Sequence, residues 1–248
     1  MKKWFLIVTL IIIRQSLIAQ ETVFEEARTI YKREQAFGAV IHTTGWGLTY
    51  RYGKYTSGFT RNTIEGELVG IKHPKEIQSF SSIFDNSNGY VFGKLNSILV
   101  LRGGVGQYKT FIGKQSVRGI AISSILNIGL STAYAKPVYL EVIKIDETDG
   151  FITSEIEKYD PDKHTQGDII GKASWFRGLF GGKFYPGVYF KGGLNFESST
   201  QASKINSLEV GAILDLYLQR VPIMANEFNR QYFFNLYVSL TFGSKKTE

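Results

Sequence analysis

Tyr232-Phe233-Phe234-Asn235-Leu236-Tyr237-Val238-Ser239-Leu240-Thr241-Phe242 alternates with a strict period of two. Tyr232, Phe234, Leu236, Val238, Leu240 and Phe242 share one face of an extended strand, and Asn235, Tyr237, Ser239 and Thr241 share the other. In a soluble sandwich a second sheet would cover the greasy face. Here several earlier stretches repeat the pattern, and the chain opens with what reads as an export signal. Together these features predict an all-β protein: an antiparallel, up-and-down transmembrane β-barrel with apolar residues toward lipid and polar residues toward a lumen.

Residues 1–19 read as a signal peptide cleaved near Ala19. Lys2 and Lys3 form the basic start, Phe5 to Ile13 the apolar core, and Ala19 precedes polar Gln20. The apolar core is too short for a membrane-spanning helix, which needs about 20 residues. Arg14 and Leu17 depart from the usual cleavage pattern, so a retained anchor is the alternative. Cleavage would remove three basic residues, Lys2, Lys3 and Arg14, and no acidic one, lowering the formal charge from +7 to +4. The remaining basic residues lie scattered among acids, which argues against a nucleic-acid face. The chain has no cysteine, which excludes disulfides, thiolate metal sites and an acylated N-terminal cysteine. After Ile13 no apolar run reaches helix-spanning length, so insertion must use strands, and their backbone groups are all satisfied only in a closed sheet.

Residues 20–35 read as a periplasmic lead-in, 36–243 as the barrel and 244–248 as a tail. Period-two stretches suggest about eight strands: Phe37 to Tyr52, Phe59 to Ile71, Tyr90 to Lys94, Ser97 to Lys109, Arg118 to Ala135, Tyr185 to Glu197, Ser207 to Gln219 and Tyr232 to Phe242. One long loop, 136–184, breaks the rhythm, and within it Asp149-Gly150 signals a local hairpin. This count puts the long loop outside the cell and the Lys72 to Gly89 connection on the periplasmic side, where turns are normally short. Ten strands, with an extra hairpin in that connection, is the alternative.

Inward parity collects Arg51, Arg61, Glu65, Glu67, Arg102, Lys191, Glu209 and Asp215 from five of these strands. An eight-stranded barrel is only wide enough to be filled by side chains. These residues are therefore expected to form an ion-paired lumen network, with a narrow polar path or an acid-base carboxylate pair as the sharper reading. His42, His73 and His164 are far apart. His42 is the best candidate for a rim histidine of a lipid hydrolase or acyltransferase, but Thr43 and Thr44 flank it in place of a serine. His73 precedes Pro74 and reads as a turn former. Asp160, Asp162, His164 and Asp168 cluster in the long loop with spacing unlike a calcium loop, and read as solvated. The glycine clusters fit neither nucleotide-binding pattern. No catalytic, metal or cofactor site is expected.

His42-Thr43-Thr44-Gly45-Trp46-Gly47, Lys72-His73-Pro74-Lys75-Glu76, Gly93-Lys94-Leu95-Asn96 and Lys136-Pro137-Val138-Tyr139-Leu140-Glu141 together give a resemblance over most of the mature chain. In these runs the chain resembles a small outer-membrane β-barrel family of Bacteroidota-type envelope proteins. The resemblance implies an outer-membrane barrel and brings no catalytic residue. Phe242 is expected to be the aromatic insertion signal read by the barrel assembly machinery, although Gly243 to Glu248 follow it. The expected partners are outer-membrane lipid, that machinery, and an envelope protein bound through the long loop. The expected role is structural or loop display, with a narrow pore or secretion-assembly subunit as one alternative and a lipid hydrolase or acyltransferase as the other.

Overall fold

Alternation of apolar and polar residues becomes a wall with two chemically opposite faces. The computed structural model describes residues 31–81, 88–114, 119–145, 152–198, 201, 203–225 and 229–247; the expected signal peptide lies outside them. The strands are β1 Arg33–His42, β2 Gly45–Tyr55, β3 Thr60–Ile71, β4 Gln78–Ser79, β5 Tyr90–Val91, β6 Asn96–Ile112, β7 Ala121–Pro137, β8 Tyr139–Ile145, β9 Ile152–Lys158, β10 Ile169–Lys172, β11 Lys183–Glu197, β12 Lys204–Tyr217 and β13 Tyr232–Lys246. Eight of them, β1, β2, β3, β6, β7, β11, β12 and β13, close an antiparallel meander barrel in chain order. Closure joins β1 to β13 in unbroken register from Arg33↔Lys246 to His42↔Tyr237. Closure leaves no edge strand, so every wall backbone group can find a partner.

The strand count agrees with the expectation, but two of its members change. The stretch read as strand one is two strands, β1 and β2, joined by the tight turn Thr43–Thr44, with Thr43 N donating to Leu236 O at 3.0 Å. Tyr90–Val91 is not a wall strand; it pairs with Gln78–Ser79 in a separate ribbon. These two errors cancel in the count and not in the topology. Connections 43–44, 72–95, 138–182 and 218–231 all fall at one end of the barrel. Connections 56–59, 113–120 and 198–203 fall at the other, with the start of β1 and the end of β13. The sidedness expected for Lys72 to Gly89 is therefore corrected: this connection shares an end with 138–182. β13 runs on through Gly243 to Lys246, past the point where a tail was expected.

At that crowded end the connections form a folded cap. β8, β9 and β10 make a sheet in the order β10-β8-β9, and the hairpin expected around Asp149-Gly150 is the β8–β9 pair, its tip lying outside the described residues. Tyr90, Leu140, Val142, Tyr159 and Ile169 form a small apolar core beneath it. The segment Val221–Met224 closes the barrel mouth: Leu95 N donates to Ile223 O at 2.9 Å and Ala225 N to Gly93 O at 2.7 Å. Val221, Ile223 and Met224 pack onto inward-facing Ile98, Ala133 and Ala135.

Outside, each wall strand presents apolar side chains to the surroundings, among them Ile41, Leu48, Ile64, Leu101, Leu130, Phe190, Val210 and Leu236. The apolar run of β13 from Tyr232 to Phe242, at about 3.3 Å per residue and the roughly 40° tilt of small barrels, covers about 25 Å along the axis, the height of a lipid-facing band. Inside, bulky tyrosines are accommodated by glycine. Gly104 and Gly129 face each other on β6 and β7, and a Cβ on Gly129 would stand 2.8 Å from the ring of buried Tyr189.

Candidate functional site

The lumen holds the main concentration of charge. Inward parity on β2, β3, β6, β11 and β12 brings together all eight of the residues singled out from the sequence, each at most 4% exposed. They bridge opposite walls. Arg102 on β6 makes a two-pronged contact with Asp215 on β12, Nε to Oδ1 at 2.9 Å and Nη2 to Oδ2 at 2.7 Å, and its Nη1 donates to Glu67 at 2.9 Å. Lys191 on β11 donates to Glu67 at 2.6 Å and to Glu65, with Glu209 at 3.9 Å. Arg51 on β2 pairs with Glu209 and donates to the Tyr108 hydroxyl at 2.7 Å.

Other members were not singled out beforehand. Glu34 on β1 forms ion pairs with both Arg51 at 3.3 Å and Arg61 at 3.0 Å. Glu197 collects Lys245 at 2.6 Å, Lys114 at 3.2 Å and Arg61 at 3.8 Å near the end where β1 starts and β13 ends. Asn127 donates to Glu65, and Ser131 to Asp215 at 2.9 Å. Two guanidinium groups lie over the Tyr108 ring, that of Arg51 at 4.5 Å and that of Arg61 at 4.8 Å from its centroid. Buried ions left unpaired are costly, and here each cation meets at least one carboxylate. The signal for Glu34 was its parity with Ala36, Gly38 and Val40; the signal for Glu197 was its parity with Lys191 and Asn195.

The network crosslinks the wall and supplies no activated nucleophile. At the rim, His42 Nδ1 lies 3.1 Å from Thr44 Oγ1, and Asn235 Oδ1 accepts both Thr44 Oγ1 at 2.7 Å and Thr43 Oγ1 at 2.9 Å. Thr44 thus spends its proton on Asn235, leaving its oxygen to accept from the imidazole, the reverse of the polarity general-base activation needs. His73 Nδ1 accepts the Lys75 N–H at 3.1 Å within its turn, and burial lowers its pKa.

In the cap, Asp160, Asp162, His164 and Asp168 shape turns. His164 Nδ1 accepts the Asp160 N–H at 3.0 Å, which places the neutral ring's proton on Nε2, 3.2 Å from Glu157. Asp168 accepts Thr165 N at 3.0 Å and Thr165 Oγ1 at 2.6 Å, and these bonds lower its pKa. Asp162 donates its N–H to Asp160 Oδ1 at 3.1 Å. Among the described residues no group of three or more His, Asp or Glu side chains is arranged to hold a metal ion.

Fold and lumen define an eight-stranded closed β-barrel with an apolar exterior, an ion-paired interior and a folded cap at one end. No family model matches the chain, and no curated protein matches it. Among solved structures it is similar to Ail, the attachment invasion locus protein of Yersinia pestis, at 7% identity over 87% of this chain and 99% of that one, with a TM-score of 0.40. It is also similar to Neisserial surface protein A, at 10% identity over 89% and 99% of the two chains, with a TM-score of 0.41.

Proposed function

We propose that this protein is a non-enzymatic integral outer-membrane barrel that holds a folded cap outside the cell, where the cap meets an envelope or external partner. One observation carries this reading: the long connections lie at the end opposite the start of β1 and the end of β13, and 138–182 folds there into a sheet whose core also takes in Tyr90. An exported chain inserted from the periplasm leaves its termini there, with short turns beside them and long loops outside. The exposed apolar belt supports burial in lipid, and the carboxylates and cations that join opposite walls support a structural lumen over a conducting one.

The absence of cysteine makes the test clean. With single substitutions Lys163→Cys in the cap and Ser57→Cys in the β2–β3 turn, a membrane-impermeant maleimide should label only the first on intact cells, and both after permeabilisation. Labelling of Ser57→Cys alone on intact cells would reverse the orientation and remove the display role.

A further inference from the structure

The stretch between Asp168 and Glu197 contains no acidic residue, yet it carries Lys172, Arg177 and Lys183 together with Trp175, Phe176, Phe180 and Phe184. All seven side chains are exposed, Phe180 to 98%, and the three cations make no ion pair among the described residues. Ordinary cap residues would not be so uniformly basic and aromatic.

The position of the segment explains the composition. Residues 174–182 do not stand over the barrel mouth; they fold back against the outside of the wall. Tyr134 belongs to the outward row of β7, with Leu126, Ile128 and Leu130. Its hydroxyl donates to Leu179 O and accepts Gly182 N at 3.0 Å, and its ring packs 4.8 Å from that of Phe184. Lys136, next in the same outward row, is covered by the segment: its Nζ donates to Arg177 O at 3.2 Å and sits 5.3 Å from the Trp175 ring. Gly178, with a φ of +76° and with Tyr139 pressed against it, fixes the fold-back. Between segment and wall lies a groove of about 420 Å³, lined by Leu68, Leu99, Leu101, Tyr134, Leu179 and Phe180. Leu68, Leu99 and Leu101 belong to the apolar belt, so the groove opens onto the surface proposed to face hydrocarbon.

We infer that this fold-back is a lipid-binding site. An acyl chain occupies the groove, the aromatics sit at the membrane interface, and Arg177 meets the phosphate of the same lipid. An apolar slot beside the unpaired Arg177 matches an anionic amphiphile, and aromatic side chains with basic neighbours favour the interface. The inference rests on the proposed outer-membrane orientation, which puts the segment at the outer leaflet and commits the occupant to a phosphorylated, multiply acylated glycolipid of the lipid A type.

Two measurements on the full chain test it, with heat-modifiable migration confirming that each variant folds. In vesicles with bromine-labelled acyl chains, a W4F/W46F variant reports Trp175 alone and a W4F/W175F variant reports Trp46 on the belt; both tryptophans should be quenched. Quenching of Trp46 without Trp175 overturns this site and spares the barrel, whereas quenching of neither overturns the membrane reading itself. By native mass spectrometry, lipid A should remain bound through detergent removal in preference to phosphatidylglycerol and phosphatidylethanolamine. R177E, which reverses the cation, and T132W, which fills the groove, should each cut its retention at least tenfold. Equal retention of phosphatidylethanolamine, or indifference to both variants, would overturn the site; a preference for phosphatidylglycerol would overturn the glycolipid as its occupant.

Discussion

Arg102 shows at the scale of one side chain how the lumen is held. Its guanidinium faces two carboxylates, Asp215 and Glu67, from opposite walls, inside an interior it cannot leave. Arg102→Ala should lower stability by about 3–5 kcal/mol, because buried Asp215 loses its cation and Glu67 keeps only Lys191. Urea unfolding in detergent followed by heat-modifiable migration measures this, and the paired replacement R102M/D215L should recover a large share of the loss. A full-sized loss in that double variant would mean Arg102 acts through packing alone. Parity was enough to place Arg51, Arg61, Glu65, Glu67, Arg102, Lys191, Glu209 and Asp215 on one face. It did not reveal which carboxylate meets which cation, since partners across the lumen depend on barrel width and strand stagger, which no single strand encodes. Glu34 went unnoticed because it precedes the stretch read as the first strand.

At the scale of elements, the terminal strand and the cap make separate demands. Phe242 lies on the outer face of β13, 61% exposed, paired in register with Phe37 and Asn206. Phe242→Glu should reduce membrane-inserted protein while leaving export intact, read by fractionating cells; unchanged insertion would discard it as the insertion signal. In the cap, Glu157 contacts Lys144 at 2.7 Å, and its pKa is lowered by hydrogen bonds from Lys144 and then His164; that of Asp168 is lowered by Thr165. A carboxylate whose folded pKa is depressed stabilises the fold above its unfolded pKa and loses that contribution as pH falls through the folded value. The cap should therefore loosen below about pH 4 while the barrel holds, seen as falling hydrogen-exchange protection in β8–β10 and steady protection in β12 and β13. Equal loss in both would show that the cap has no stability of its own. The split of β1 from β2 was legible in principle. Outward parity is odd through Phe37, Ala39 and Ile41 and even from Trp46 through Leu48 to Tyr50, but Thr43–Thr44 lacks the glycine, asparagine or proline that usually marks a turn. Tyr90–Val91 misled in the opposite sense, since two residues of apolar ribbon in a cap look like the start of a wall strand.

At the scale of the whole molecule, the fold turns a soluble protein's arrangement inside out. Carboxylates and cations fill the centre, while Leu130, Leu126 and Leu218 stand more than two-thirds exposed. Such a surface is stable only where water is absent. The even, antiparallel meander then sends all of the long connections to one end, which the alternation of strands did not reveal until β1 and β2 were separated. Hydrocarbon covering the barrel is the central claim, and a spin label on Leu130→Cys in lipid vesicles tests it most directly. Power saturation should show frequent collisions with oxygen and few with a water-soluble nickel chelate, the reverse of a label on Lys163→Cys in the cap. Equal access of the chelate to both positions would contradict the account.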